Sequence, residues 1–215
     1  MNSGSRGILL ILSAPSGGGK STLANRLRSE REDVEVSVSH TTRPIRGAEV
    51  HGEHYHFVNR EDFQAQVDAG AFAEHAVVYG NYYGTSRQVV DDILARGNHV
   101  ILDIDIQGGE QLMAAYPDAV SVFIVPPSMK VLEHRLSERS TETPETLQLR
   151  LSSAKAEIEA SKNYQYVVIN DELSDAVSRL KEILNAETAR RSRMENALGA
   201  LLQENSMEEK NGYEA

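Results

Sequence analysis

ILLILSAPSGGGKSTL, residues Ile8 to Leu23, reads as an apolar strand, a glycine-rich turn and a helix opened by Lys20 and two hydroxyls. A turn of this kind holds phosphate. Its backbone N–H groups converge at a helix N-terminus that carries partial positive charge, Lys20 adds a mobile cation for β/γ oxygens, and Ser21 can reach Mg²⁺. The segment therefore predicts nucleoside triphosphate binding by Ala14, Pro15, Ser16, Gly17, Gly18, Gly19, Lys20, Ser21 and Thr22. It departs from the G-x-x-x-x-G-K-S/T spacing at one position, because Ala14 stands where the first glycine belongs. Three consecutive glycines keep the backbone permissive, and alanine is the smallest substitute. The plainer alternative is a glycine turn joining a strand to a helix; the order of strand, loop, lysine and helix favours phosphate.

Outward from that stretch, strands and helices alternate. Apolar runs at Ile8–Leu12, Val34–Val38, Val100–Ile104, Val120–Val125 and Tyr166–Ile169 are separated by helical patterns such as Ser21–Glu30 and Ser174–Ala186. That order predicts an α/β fold, a mostly parallel sheet flanked by helices. Three strands end in polar residues, Ser13, Asp103 with Asp105, and Asn170, where such folds gather their ligands. Residues 39–96 carry short strands and turns rich in His, Tyr, Gly and Asn and read as an inserted substrate subdomain. Residues 128–163 follow Pro126-Pro127, turn charged and helical, and read as a mobile lid. The expected core is then 1–38, 97–127 and 164–190, within one domain spanning 1–190. A charged tail covers 191–215, read as a helix fraying into disorder.

Composition narrows the classes. The chain has 215 residues, no cysteine and a formal net charge of −10. Disulfides, thiolate metal sites and cysteine nucleophiles are excluded, which fits a reducing cytoplasm. The acidic balance disfavours nucleic-acid binding, and no run approaches the roughly 18 apolar residues that span a bilayer. The opening MNSGSRG is read as leading into a core strand rather than as a secretory signal. A soluble, cytoplasmic protein is expected, with homo-oligomer formation left open.

Four constellations bear on the substrate. SVSHTTRPIRGAEVHGEHYHF gathers Ser39, Arg43, Arg46 and Tyr55, and GNYYGTS adds Tyr83 and Thr85. Arginine forks and phenol hydroxyls suit a monophosphate, although a solvated basic loop would look similar. VILDIDIQGG ends in Asp103 and Asp105, on one face while the strand stays extended. Asp103 is the candidate for positioning magnesium, and Asp105 lies further out, toward an acceptor; capping of the next turn is the alternative. In the lid, Arg135 and Arg139 lie four apart on a helical face and Arg150 follows. Such arginines can stabilise a phosphoryl-transfer transition state, or can instead form salt bridges to Glu133, Glu138 and Glu142. His51, His54 and His56 form H-x-x-H-x-H and raise a metal hypothesis, but no helical ligand set completes it, and structural or solvent-facing histidines are expected.

Taken in order, SAPSGGGKST, SVSHTTRPIRGAEVHGEHYHFV, EHAVVYGNYYGTS, LDIDIQG, FIVPPS and VINDELSDA resemble the bacterial guanylate kinases, from about Gly7 to Arg190. The resemblance implies a P-loop core with a GMP-binding subdomain and a lid, and the reaction ATP + GMP giving ADP + GDP with Mg²⁺. It further implies that Arg43, Arg46, Tyr55 and Tyr83 hold the GMP phosphate, and that Ser39, Glu74, Thr85 and Asp105 read guanine. It implies that Arg135, Arg139 and Arg150 serve the transferring group, and that Asn170 lies by adenine. The chain departs from the family at Ala14, at Ser140 after Arg139, and around Gly47-Ala48 before Glu49. Two other classes stay in view: a non-catalytic module of the same fold, and a kinase for another monophosphate, against which Glu74 with Ser39 discriminates.

Overall fold

The computed structural model describes residues 6–78, 80–137, 144–195 and 197–202. Its central strand, β1 (Leu9–Ser13), is buried along its whole length, as an apolar run flanked on both faces must be. Alternation splits that run between two cores. Ile8, Leu10 and Leu12 pack with Leu23 and Leu27 of α1 (Lys20–Glu30) and with Val177, Leu180 and Leu184 of α7 (Leu173–Thr188). Leu9 and Ile11 pack on the other face with Val90, Ile93 and Leu94 of α3 (Arg87–Ala95) and Leu112 of α4 (Ile106–Ala115).

The five-stranded sheet runs β2 (Val34–Val36), β7 (His99–Asp103), β1, β8 (Val120–Val125), β9 (Tyr166–Ile169), with every pairing parallel. Leu10 faces Ile101 on one side and Val120 on the other, so the mouth of β1 opens between Asp103 and the end of β8. Strands at 120–125 and 166–169 fall where the sequence predicts them. β2 stops at Val36 and β7 at Asp103, so Asp105 lies beyond the strand rather than on its face.

A second sheet, in the order β4 (His56–Phe57), β3 (His40–Thr41), β6 (Asn81–Ser86), β5 (Phe72–Val78), rises from residues 40–86. β5 and β6 are antiparallel, and their register sets Glu74 opposite Thr85. α2 (Arg60–Asp68) closes one side through Phe63, whose ring lies 4.7 Å from that of Phe72. The helices α5 (Met129–Ser137) and α6 (Pro144–Ala160) form a small apolar cluster of Leu132, Leu136 and Ala154. Past α7 the chain breaks at Ala189, makes a 3₁₀ turn at Arg191–Arg193 and is helical again at 197–202; the expected disorder of the tail beyond that falls outside the described residues. Among the described residues no helix is long and apolar enough to cross a membrane.

Candidate functional site

The phosphate loop takes its shape from two glycines. Gly17 and Gly19 both sit at φ 86°, a left-handed conformation that L side chains rarely adopt, and Gly19 caps α1. The Gly18 amide donates to Pro15 at 2.8 Å, tightening the turn around a concave set of N–H groups. At its floor, Lys20 Nζ lies 2.9 Å from Asp103 Oδ1 and donates to the Ile104 carbonyl. Ser21 Oγ donates to the other oxygen of Asp103. Two adjacent loop residues, the lysine and the hydroxyl, thus meet a carboxylate that lies 82 residues beyond Ser21.

Asp105 caps α4, accepting from the Gly108 amide at 2.8 Å, while its carbonyl accepts from Ser13 Oγ at 3.4 Å. The capping alternative describes one of its oxygens. Gly108 and Gly109, two helix-weakening residues, are explained by close approach: a Cβ on Gly108 would meet Glu74 Oε2 at 2.8 Å, and one on Gly109 would meet Tyr164 Oη at 2.3 Å. Tyr164 in turn donates to Ser13 Oγ at 2.7 Å.

The second sheet brings another set together. Glu74 is only 4% exposed and accepts from Thr85 Oγ1 at 2.6 Å. Burial pushes its carboxyl up to about 7, the Thr85 hydroxyl opposes the rise, and the charge of Asp105 adds to it. Tyr83 and Thr85, two apart on β6, share the face toward Glu74. The Tyr83 ring lies 5.9 Å from that of Tyr55, and the Arg43 guanidinium stands 5.3 Å from the centre of Tyr55. Arg43 is buried and forks onto Glu49 at 2.7 and 3.0 Å, holding that carboxyl down to about 2 together with the Arg46 amide. Arg46 itself is exposed, and the Ser39 carbonyl accepts from the His56 amide at 2.9 Å.

The histidines serve the same region. His51 Nδ1 accepts from the Phe57 amide and His54 Nδ1 from the Val50 amide, each at 3.1 Å. His56 stacks on His40 at 4.6 Å, and burial beside these imidazoles holds His40 down to about 4. Among the described residues no group of three or more His, Cys, Asp or Glu is arranged to hold a metal ion.

The helices α5 and α6 touch the loop. A Cβ on Gly17 would meet Leu132 and Leu136 at 3.0 Å, and the Ser16 amide donates to Glu157 Oε2 of α6 at 3.3 Å. Burial raises the Glu157 carboxyl, against the Ser16 amide and the charge of Lys20. Arg135 Nη2 donates to the main-chain carbonyl of Asn170 at 3.0 Å rather than to Glu133. Asn170, expected by adenine, is 6% exposed and gives its amide to the Gly18 carbonyl at 2.9 Å. Arg150 lies on α6 with its side chain half-buried; Arg139 and Ser140 lie outside the described residues.

Sequence reasoning passed over Glu157, Tyr164 and the pairing role of Glu49. The Gly108-Gly109 pair inside a helix was the one local signal of a crowded site.

A family model described as guanylate kinase matches residues 6–187. A guanylate kinase of Neisseria meningitidis serogroup A is 48% identical over 198 residues, 92% of this chain and 97% of the relative. One from Myxococcus xanthus is 47% identical over 190 residues, covering 88% and 91%. The crystal structure of guanylate kinase from Anaplasma phagocytophilum superposes with a TM-score of 0.73 at 36% identity, covering 88% of this chain and 90% of that one. With the family model spanning residues 6–187 and identity of this extent along nearly its whole length, the protein belongs to the guanylate kinase family.

Proposed function

We propose that the chain transfers the γ-phosphoryl group of ATP to GMP, giving ADP and GDP. The observation that carries this reading is the buried Glu74 carboxylate held by Thr85 in the sheet beside the phosphate loop. Guanine presents N1–H and a 2-amino group, and one carboxylate accepts from both. Adenine presents an unprotonated N1 there, and a site built around required hydrogen bonds rejects such a partner by about 10⁴. Ser39 or Thr85 donates to O6, and Asp105 lies on the same side through α4.

On the donor side, the loop amides and Lys20 receive the β and γ phosphates. Ser21 and Asp103 supply two hard oxygens, a donor set that fits Mg²⁺, which takes few protein ligands and keeps water and phosphate in its shell. Bound there, the ion would neutralise charge on the β and γ oxygens. A GMP phosphate oxygen, already anionic, forms the new P–O bond as the bond to the β-bridging oxygen breaks, so no protein base is needed. Arg43, Arg46, Tyr55 and Tyr83 hold the acceptor phosphate, and Arg135, Arg139 and Arg150 meet the equatorial charge as the lid excludes water. Asn170, given its partners, buttresses the loop as well as bordering the adenine side. This assigns residues 39–96 to the acceptor, 128–163 to the lid and leaves 191–215 outside the chemistry, in a cytoplasmic enzyme.

An assay of ADP release across GMP, dGMP, AMP, UMP and CMP with Mg·ATP tests the reading. GMP is expected to dominate; comparable turnover of AMP or UMP at saturating ATP overturns it.

A further inference from the structure

The far end of the main sheet holds a cavity of about 470 Å³. Leu9, which opens β1, and Ala119, just before β8, form part of its wall, so it lies at the N-terminal ends of strands whose C-terminal ends carry the phosphate loop. Its volume falls within the roughly 300–1,000 Å³ of small-molecule sites. Three arginines, at 6, 87 and 193, face two aspartates, at 91 and 118, an excess of positive charge in a chain whose formal charge is −10.

The polar groups divide into satisfied and unsatisfied. Arg6 pairs with Asp91 at 2.6 Å on the rim, Arg87 donates to the Phe72 carbonyl at 3.2 Å, and Arg193 Nη2 donates to the Asp118 carbonyl. Arg193 Nε and Tyr116 Oη are both buried and make no hydrogen bond among the described residues, although Arg87 lies near the phenol. A buried guanidinium N–H and a buried hydroxyl at one cavity call for an acceptor. We propose that this cavity binds a small organic oxyanion, a phosphate or carboxylate on an apolar body, whose oxygens accept from Arg193 Nε and Tyr116 Oη. Leu9, Leu94 and Ala119 line the space for the body. Burial lowers the Arg193 guanidinium, against the charges of Asp118 and Glu187, and burial with the charge of Asp91 raises the Tyr116 phenol. The site is independent of the phosphoryl-transfer reading.

The test is a ¹H–¹⁵N titration of the full chain, following the arginine Nε–H resonance that disappears in Arg193→Lys. Inorganic phosphate, phenyl phosphate and benzoate are the probes; the first against the second measures the apolar body, and the second against the third separates phosphate from carboxylate. Saturable movement of the Arg193 resonance by phenyl phosphate or benzoate, unchanged by saturating Mg·ADP, is expected. Arg193→Lys and the near-isosteric Tyr116→Phe are each expected to weaken binding, read from neighbouring backbone amides, by about tenfold while nucleotide turnover is retained. The proposal fails if no probe moves that resonance saturably up to about 10 mM, a free-energy range in which a two-contact anion site should register. It also fails if both variants bind as the parent does, or if Mg·ADP displaces the probe.

Discussion

Replacing Glu74 by glutamine should make the free protein more stable and its GMP site worse. Burial raises this carboxyl from an ordinary 4.5 to about 7. Between those values the native state keeps its proton while the unfolded chain has released it, so stability is full below about pH 4.5 and falls as pH rises to about 7. That rise corresponds to about 3 kcal/mol lost by pH 8. Glutamine stays neutral, still offers an oxygen to the Thr85 hydroxyl, and should recover about that much at pH 8 and almost none at pH 4.5. Urea unfolding of both proteins at several pH values measures the gap. In turnover, under the proposed reading, Glu74 must be ionised to accept both guanine protons. With half-ionisation near pH 7, the fraction competent at pH 6 is about one-tenth of that at pH 8, and KM for GMP should rise about tenfold between them. The titration of GMP's own phosphate affects parent and variant alike and cancels in their ratio. Stability and KM curves that run parallel for the two proteins would refute the argument, since they would mean that Glu74 is not the group whose ionisation is held back.

Lys20→Ala should cut turnover by about a thousandfold or more while calorimetric GMP binding changes little, because the lysine touches Asp103 and the Ile104 carbonyl rather than Glu74 or Arg43; an active variant would remove its role. Gly19→Ala forces a side chain into φ 86° and against Asn170 Nδ2 at 2.3 Å, so thermal unfolding should show a loss of about 1–3 kcal/mol and ATP binding should fail. Arg43→Lys keeps the charge but loses the planar fork on Glu49, and KM for GMP should rise about tenfold with KM for ATP unchanged.

What the sequence made legible was local. Val120–Val125 announces itself because a mostly apolar run bounded by turns fits a strand buried on both faces, and Tyr166–Ile169 because its β-branched residues favour a strand even at the sheet edge, where Val167 and Ile169 are exposed. The loop is legible because its glycines, lysine and hydroxyls are consecutive. β3 and β4, two residues each, carry no period to read; β3 is placed by its pairing with β6, and β4 by its pairing with β3. Glu157 meets Ser16 across 141 residues and Tyr164 meets Ser13 across 151, contacts that no spacing rule anticipates. Asp105 shows the limit of alternation: its place on a strand face assumed an extension that ends at Asp103, and the chain instead turns into α4.

Asn170 gives one hand to the loop and the other to the lid, its amide on Gly18 and its carbonyl under Arg135. Any swing of α5 that withdraws Arg135 therefore changes the load on the residue that pins the loop. With Glu157 on Ser16 and Leu132 and Leu136 against Gly17, this joint at the end of β9 ties the loop to α5 and α6, so occupancy of the loop and the posture of those helices should each report on the other.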